Sequence, residues 1–420
     1  MLYETEKETE RVILVGVDTG DGEFDTESCL DELGELAKTA GAEVAGRLIQ
    51  KREAINRATY LGKGKIEELK NYIDMVDATG IICDDELSQN QIRNLENALD
   101  TKVMDRTLVI LDIFAGRASS AEGKVQVELA QLKYKLAHLT GRGKEMSRLG
   151  GGIGTRGPGE KKLETDRRNI ADRISDLNRE LKEIERHRSV LREKRTETGV
   201  PVIALVGYTN AGKSTLLNTL TGAGVLAEDK LFATLDTTTR AVETESGAKY
   251  LFTDTVGFIQ KLPHNLIKAF RATLEEAKYA DILVHVVDAS NKKRNEQMNT
   301  VYRTLKELGA NNKPVVTVYN KIDREEVEKP LFKDKMALET ISISAKKGIN
   351  TDMLIEKTEE IIKSFKKSIK VVIPYDMGQL LSIIHGNCEI TKSENRAEGY
   401  YFELYADEET ENRLKKYIVK

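Results

Sequence analysis

A glycine-rich octapeptide, GYTNAGKS at 207–214, constrains the fold of this 420-residue chain more than any other segment. It follows the apolar run VIALV, which predicts a buried strand, and precedes TLLNTL, which predicts a helix. In this context glycines let main-chain N–H groups converge on phosphate, the lysine reaches the outer phosphates, and the serine ligates Mg²⁺. The octapeptide therefore predicts a phosphate-binding loop in a doubly wound, mostly parallel sheet.

DTVG at 254–257 is the second motif and also ends a predicted strand. Asp254 is placed to hold Mg²⁺ through water, and the Gly257 amide is placed to meet the γ-phosphate. The next residue is Phe258, where Ras-like GTPases carry a glutamine that orients the attacking water. Because a phenyl ring cannot orient water, we expect the isolated protein to hydrolyse its nucleotide slowly. The group that orients the water would be supplied by another residue or by a partner.

The segment LFATLDTTTR at 231–240 lies between these two motifs. A threonine here must complete the magnesium shell when the γ-phosphate is present. Thr234 is the preferred candidate, and Thr237 and Thr238 are alternatives that the sequence leaves open.

The third and fourth motifs are NKID at 320–323 and SAK at 344–346, and they predict which base the bound nucleotide carries. The Asp323 carboxylate can accept from guanine N1–H and from the exocyclic amine, a pair of donors that adenine lacks. Asn320 either contacts guanine O6/N7 or ties loops together, and Lys321 can lie along the base. The SAK segment supports the base by main-chain contacts. Four ordered motifs on four strand ends therefore predict GTP as the substrate.

These motifs define a set of candidate residues for nucleotide and metal. The residues expected to bind GTP are Gly207, Tyr208, Thr209, Asn210, Ala211, Gly212, Lys213, Ser214, Thr215, Asp254, Gly257, Asn320, Lys321, Asp323, Ser344, Ala345 and Lys346. The candidate catalytic residues are Lys213, Thr234 and Gly257, and the candidate Mg²⁺ ligands are Ser214, Thr234 and Asp254.

A second glycine-rich stretch, GGGIGTRGPGE at 150–160, has the spacing of a dinucleotide-binding fingerprint in the wrong context. The fingerprint needs a preceding strand, whereas residues 125–139 carry apolar side chains at helical spacing. A second helical stripe runs from Leu163 to Leu191. Two such helices joined by a short loop predict an antiparallel coiled-coil hairpin, with two separate amphipathic helices as the alternative. A nicotinamide-dependent oxidoreductase is therefore rejected.

The predicted hairpin is basic on an acidic chain. Residues 124–198 hold 19 Lys and Arg against 12 Asp and Glu, although the whole chain has a net charge of −4. This distribution indicates a polyanionic partner that the hairpin alone contacts. A solvated, salt-bridged helical pair without such a partner is the alternative.

Four domains are predicted along the chain. Residues 1–123 alternate apolar runs with helical stretches, which is typical of a small α/β layer, and within them 102–116 is expected to be a strand region. Residues 124–198 form the hairpin, 199–366 the P-loop GTPase domain, and 367–420 a small α+β domain.

The composition argues against several other classes of protein. Three cysteines and five histidines are dispersed, so neither a disulfide framework nor a metal cluster is expected. No run of about 18 apolar residues could span a membrane, and the acidic start does not resemble a signal peptide. We expect a cytoplasmic, monomeric protein without stable membrane insertion and without a DNA partner.

Taken together, the motifs resemble those of the HflX family of ribosome-associated GTPases over nearly the whole chain. The resemblance is carried by GYTNAGKS, LFATLD and DTVGFI, by GGGIGTRGPGE and LETDRR within 150–168, and by LPHNLIKAFRATLEEA at 262–277. Lys161 and Lys162 stand where the family pattern has a Thr-Gln pair, which adds positive charge and leaves the glycines intact. The resemblance implies an N-terminal α/β subdomain, a helical hairpin, a G domain and a small C-terminal domain.

The resemblance also implies a function, namely binding to the large ribosomal subunit and GTP-dependent splitting of stalled or idle ribosomes, notably under stress. The glycine loop would then be a hairpin tip that approaches ribosomal RNA closely. Its RNA-binding candidates are Arg148, Arg156, Lys161 and Lys162. A GTP-dependent assembly or dormancy factor without splitting activity is the alternative.

Overall fold

The computed structural model divides the chain into two compact units. It describes residues 9–20, 24–139, 158–197, 200–222, 231–244, 247–263, 266, 275–327, 331–365, 367–406 and 408–419. The first unit comprises Met1–Lys182, Glu228–Asp236 and Ile259–Arg271. The second comprises Glu183–Ala227, Thr237–Phe258 and Ala272–Lys420.

A four-stranded parallel sheet with the order β2-β1-β3-β4 lies at the centre of the first unit. Its strands are β1 (Arg11–Asp18), β2 (Glu43–Lys51), β3 (Gly80–Cys83) and β4 (Lys102–Asp105). Helices alternate with these strands and are α1 (Thr26–Thr39), α2 (Lys63–Val76) and α3 (Gln89–Leu99). The central strand β1 is buried over six consecutive residues, as expected of a parallel strand covered on both faces. The predicted α/β layer is confirmed.

Residues 102–116 differ from the prediction, because only the first four of them form a strand. Helix α4 (Arg106–Arg117) begins directly after β4. The Asp105 carboxylate caps this helix by accepting the Leu108 N–H at 2.8 Å. The helix buries the apolar residues Val109, Ile110, Leu111, Ile113 and Phe114, interrupted only by the exposed Asp112, and this dense run hides the helical period in the sequence.

The two helices of the predicted hairpin are α5 (Ala121–His138) and α6 (Pro158–Glu197). Leu177 of α6 is fully buried and packs with Val125 and Leu129 of α5. Arg173 donates two hydrogen bonds to the Glu128 carboxylate, at 2.7 and 2.9 Å. The helices therefore pack as a pair, as the hairpin prediction requires. The predicted tip, within 140–157, lies outside the described residues.

A buried charge cluster ties the segment Ile259–Arg271 into the first unit. Lys261 forms ion pairs with Asp84 and with Asp85, whose carboxylate lies 2.8 Å from its Nζ. Arg106 pairs with Asp84 at 2.7 Å and also with Glu32. Asp84 and Arg106 are each 1% exposed, and each has two oppositely charged partners, so both buried charges are compensated within the cluster.

A six-stranded sheet with the order β10-β9-β8-β5-β7-β6 lies at the centre of the second unit. Its strands are β5 (Val202–Gly207), β6 (Thr238–Glu243), β7 (Lys249–Asp254), β8 (Ile282–Asp288), β9 (Val315–Asn320) and β10 (Glu339–Ser342). Its helices are α7 (Lys213–Thr221), α8 (Glu276–Tyr279), α9 (Arg294–Glu307) and α10 (Thr351–Ser364). All strand pairs are parallel except β6 with β7. The predicted doubly wound, mostly parallel sheet is confirmed.

A small α+β module ends the chain, as predicted. The strands β11 (Lys367–Ile373), β12 (Glu389–Arg396) and β13 (Gly399–Ala406) form an antiparallel sheet with the order β11-β13-β12. The helices α11 (Gly378–Asn387) and α12 (Glu408–Leu414) follow β11 and β13. One face of the sheet buries an apolar cluster that includes Val371, Ile373 and Leu404.

Within the ranges given above, none of the helices combines the length and the apolar character needed to cross a membrane. In the same part of the chain, no group of three or more His, Cys, Asp or Glu side chains is arranged to hold a metal ion.

A buried histidine in the second unit predicts loss of stability in mild acid. His285 on β8 is 1% exposed, and burial lowers its pKa to about 4, against an ordinary value of 6.5. The unfolded chain binds this proton more readily, so the contribution of His285 is complete above pH 6.5 and is lost as pH falls towards 4. We expect this group to remove about 3 kcal/mol from the free energy of unfolding across that window.

Denaturant titrations of the wild type and of a His285→Leu variant at several pH values measure this contribution. Other groups titrate in both proteins, so the informative quantity is the difference between the two pH profiles. The variant should lose less stability between pH 6.5 and 4. Parallel profiles would show that His285 does not titrate in this window.

Candidate nucleotide-binding site

The phosphate-binding loop connects β5 to α7, and its glycines are required by close main-chain packing. A Cβ atom on Gly207, which has φ 154°, would lie 2.2 Å from the Val286 carbonyl oxygen. Gly212 adopts a left-handed conformation with φ 95°, and a Cβ there would lie 2.3 Å from Asn320 Nδ2. Only glycine fits both positions, because any larger residue would push the loop away from β8 and β9.

Lys213 is the first residue of α7, and its ammonium group is buried within the loop. Its Nζ donates to the Gly207 carbonyl at 3.1 Å and to the Tyr208 carbonyl at 2.9 Å. Burial lowers the pKa of this lysine to about 8, although the nearby Asp254 charge opposes the shift. The loop thus holds a cation where main-chain N–H groups of a helix start also converge, which suits an anionic ligand.

Ser214 and Asp254 are brought together by the pairing of β5 with β7. The Ser214 hydroxyl donates to Asp254 Oδ2 at 2.6 Å, and the Asp254 side chain is fully buried. Hydroxyl and carboxylate oxygens are ligands that Mg²⁺ prefers. Thr238, an alternative to Thr234, lies on β6 opposite Asp254.

The DTVG segment packs against the phosphate-binding loop through its main chain. The Thr209 N–H donates to the Phe258 carbonyl at 2.7 Å, and the Phe258 N–H donates to the Gly207 carbonyl at 3.1 Å. A Cβ on Gly257 would lie 2.8 Å from Thr209 and 3.1 Å from Lys213 Nζ. The Phe258 ring is 1% exposed, so it belongs to the core and has no means of orienting water.

Asn320 ties three loops of the site together. Its Nδ2 donates to the Ala211 carbonyl at 2.9 Å, and its Oδ1 accepts the N–H groups of Lys321 at 2.8 Å and Ala345 at 2.9 Å. Of the two roles predicted for this asparagine, the structure shows the tie between loops. Because all polar atoms of the amide are engaged, Asn320 fixes the positions of both guanine motifs relative to the phosphate-binding loop.

Asp323 is held by Ser344 at the predicted base position. The Ser344 hydroxyl donates to Asp323 Oδ1 at 2.7 Å, and Lys347 lies 3.9 Å from Oδ2. The hydrogen bond from Ser344 is the main reason why the pKa of Asp323 lies below its usual value. The carboxylate is therefore ionised at neutral pH and oriented, as an acceptor of guanine N–H groups must be.

Two residues at this site were not predicted from the sequence. Asp288 ends β8 and pairs with Lys321, with 2.7 Å between Oδ2 and Nζ, while Lys321 Nζ also donates to the Asn210 carbonyl at 2.7 Å. Thr219 of α7 donates to the Ala345 carbonyl at 2.7 Å. The position of Asp288 at the carboxyl end of a buried strand was a usable signal, since parallel strands end at one edge of the sheet. Thr219 carries no such signal.

The predicted magnesium threonine lies in the first unit, within a segment that is firmly held there. Asp236 lies two residues after Thr234. Its carboxylate accepts the main-chain N–H and the hydroxyl of both Ser119 and Ser120 at 2.5 to 2.9 Å. Ser120 is also the N-cap of α5. Four hydrogen bonds to one carboxylate at a helix N-terminus form a strong anchor, and they lower the pKa of Asp236 against the effect of its burial.

The second unit thus brings together most residues of the predicted site. They are the loop 207–215, Asp254, Gly257, the segment 320–323 and the segment 344–346. Of the predicted RNA-binding residues, Arg148 and Arg156 lie outside the described part of the chain. Lys161 and Lys162 lie in the first turns of α6.

Comparison with protein families places three matches along the chain. Residues 27–115 match the family described as "GTP-binding GTPase N-terminal", and residues 117–195 match "GTP-binding GTPase Middle Region". Residues 202–321, which include the phosphate-binding loop and Asn320, match "50S ribosome-binding GTPase". The phosphate-binding loop, Asp254, Gly257, Asn320 and Lys321 therefore lie within the matched GTPase range, whereas Asp323 and the segment 344–346 lie beyond it.

Curated relatives match nearly the full length. GTPase HflX of Lacrimispora saccharolytica is 55% identical over 97% of this chain and 96% of its own length. GTPase HflX of Caldanaerobacter subterraneus is 47% identical over 100% and 96%, and that of Escherichia coli is 39% identical over 84% and 83%. With the phosphate-binding loop and the guanine motifs assembled on one sheet edge, this similarity shows a GTP-binding, GTP-hydrolysing protein. The chain belongs to the HflX family of GTPases.

Proposed function

We propose that this protein is a cytoplasmic GTPase that binds the large ribosomal subunit and, with GTP, dissociates stalled or idle ribosomes. The observation that carries the proposal is the match of residues 202–321 to a family of 50S ribosome-binding GTPases, together with full-length HflX relatives. The basic hairpin supports it, because a positive segment on an acidic chain suits a polyanionic RNA surface.

In this proposal Mg²⁺ would be held by residues at the start of α7 and the end of β7. The Ser214 hydroxyl would ligate the ion directly, Asp254 would hold it through water, and Thr234 would complete the shell in the GTP state. The donor set fits the ion, since a serine hydroxyl and a buried carboxylate lie 2.6 Å apart at the start of α7. When bound, Mg²⁺ neutralises charge on the β- and γ-phosphates.

The remaining residues position GTP and stabilise developing charge. Lys213 contacts the β- and γ-phosphate oxygens, and the Gly257 amide donates to the γ-phosphate. Asp323 accepts the two guanine donors, with SAK at 344–346 supporting the base. Thr209 adds a buried hydroxyl for which the described residues supply no hydrogen-bond partner, so it is available to the nucleotide or its water.

The ring of Phe258 is buried and cannot orient the attacking water, so another residue or a partner must supply that group. We therefore propose slow turnover by the isolated protein and strong stimulation by large ribosomal subunits, which would supply or position that group. Hairpin residues, including Lys161 and Lys162, contact ribosomal RNA in this proposal.

Light scattering with purified ribosomes tests splitting. Addition of the protein with GTP, or with a non-hydrolysable analogue, should convert intact ribosomes to subunits, and GDP should not. Turnover measured in parallel should rise strongly when large subunits are added. Binding and stimulated turnover without any fall in scattering would instead indicate an assembly or dormancy factor, and rapid turnover that ribosomes leave unchanged would contradict the proposal.

A further inference from the structure

Residues 331–338, here called the 331–338 loop, directly precede β10 and expose three large apolar side chains. Phe332 is 75% exposed, Met336 is 69% exposed and Leu338 is 51% exposed. Single exposed apolar residues are common on soluble proteins. Three within seven consecutive residues form a concentrated apolar surface, which is typical of interaction sites.

The loop is held rigidly by a buried carboxylate at its centre. Asp334 is 8% exposed and accepts the Tyr302 hydroxyl at 2.5 Å and the Thr317 hydroxyl at 2.7 Å. Its Oδ1 accepts the Met336 N–H at 2.9 Å, and its own N–H donates to the Thr340 hydroxyl at 3.0 Å. These bonds fix the main chain between Phe332 and Met336, so the two apolar side chains are presented by an ordered turn.

Both ends of the loop are also attached to the second unit. Leu331 packs against a core cluster that contains Val287 and Tyr319. The Leu338 N–H donates to the Val315 carbonyl at 2.8 Å. A loop that is already ordered and exposes apolar side chains is preorganised for binding a partner, because its main chain loses little conformational entropy on binding.

The charge on the outward side of the loop is positive. Lys333 and Lys335 are exposed, and neither forms an ion pair with any residue in the described ranges. The acid between them, Asp334, points inward and is satisfied by hydroxyl groups. The outward surface therefore combines an apolar centre with cations beside it, which complements an apolar surface bordered by acids.

We propose that the 331–338 loop is a docking surface for an acidic protein of the large ribosomal subunit. Apolar side chains of that protein pack on Phe332, Met336 and Leu338, and its carboxylates pair with the two lysines. The inference rests on the proposed ribosomal function and adds the chemistry of one contact. A protein fits better than RNA, because two of the three exposed apolar side chains, Met336 and Leu338, are aliphatic and only Phe332 offers a ring on which a base could stack.

Site-specific cross-linking identifies what covers the loop. A diazirine-bearing amino acid in place of Met336 inserts into protein and RNA alike, and it is irradiated with purified large subunits and a non-hydrolysable GTP analogue. The same label in place of Met75 on α2, which is 74% exposed, serves as the matched control. A cross-link from position 336, absent from position 75, to an acidic ribosomal protein supports the inference. A cross-link to RNA or to a basic protein, or none above the control, overturns it.

Binding measurements give an independent test. The double variant Phe332→Ser, Met336→Ser should bind large subunits roughly tenfold to a hundredfold more weakly, as loss of two interface anchors predicts, and Met75→Ser should bind normally. Turnover without ribosomes should be unchanged in both, since neither surface contributes to the nucleotide site. If the wild type binds subunits and the double variant binds equally well, this inference fails alone. If the wild type does not bind, the proposed function fails with it.

Discussion

Replacing Asp323 by asparagine will weaken GTP binding by roughly two to three orders of magnitude. The carboxylate accepts two guanine N–H donors in the proposed complex, and an amide places a donor against one of them, so a charge-assisted pair is lost and a buried donor is left unsatisfied. Xanthine carries a carbonyl where guanine carries its amine, so Asp323→Asn should bind xanthosine triphosphate more tightly than the wild type does. Fluorescent-nucleotide titrations with both nucleotides measure the exchange.

The control for this change is Asp376→Asn, which makes the same chemical change at an exposed position in the C-terminal module. It should bind GTP normally. Ser344 is expected to retain a partner in the Asp323 variant, because the amide oxygen can still accept its hydroxyl, now 2.7 Å from Oδ1. An unaltered affinity of Asp323→Asn for GTP would show that another residue selects the base.

Replacement of residues 150–159 by a short serine-rich connector should abolish most ribosome splitting and leave GTP affinity within about twofold. In the proposed function these glycines permit close approach of the backbone to RNA, and the replacement removes both the glycines and Arg156, a candidate contact to RNA phosphate. The packing of Leu177 on Val125 lies outside the replaced segment, so the helix pair should persist. Light scattering with ribosomes and nucleotide titration report the two properties separately.

Two different results would contradict the role proposed for the hairpin tip, and each would lead to a different conclusion. Normal splitting by the shortened protein would show that the tip is only a connector. Loss of GTP binding would place the glycines in a nucleotide site, contrary to the helical context that precedes them. Helical content measured by circular dichroism should match the wild type, which excludes unfolding of the pair as the cause.

The elements that could be predicted from the sequence are those in which a short segment contains all the residues that identify it. The phosphate-binding loop and DTVG each combine a strand end with residues of fixed chemical type, and the structure places them on one sheet edge as expected. Helix α4 was missed because its burial on several sides removes the periodic pattern. Strand β6 was missed for the opposite reason, since its residues are mostly polar and partly exposed at the edge of the sheet.

Contacts between distant segments could not be predicted from one sequence. Ser119 and Asp236 are separated by 117 positions, and Lys261 and Asp84 by 177. Nothing in the local composition of either pair indicates its partner, because serine, aspartate and lysine are ordinary surface residues. Only the fold brings them together and makes their hydrogen bonds and ion pairs possible.

The anchor between Asp236 and the start of α5 has a consequence for modularity. By sequence, Asp236 belongs to the same 199–366 stretch as every nucleotide motif, yet its four hydrogen-bond donors come from Ser119 and Ser120. A Cβ on Gly123 would also approach its Oδ1 to 2.3 Å. Suppose that a chimaera takes residues 1–123 from one relative and the GTPase region from another. It would keep this anchor only if the first parent has both serines and the second has the aspartate. The position at which such proteins can be recombined therefore depends on which side chains hydrogen-bond to each other, and not only on the order of domains along the sequence.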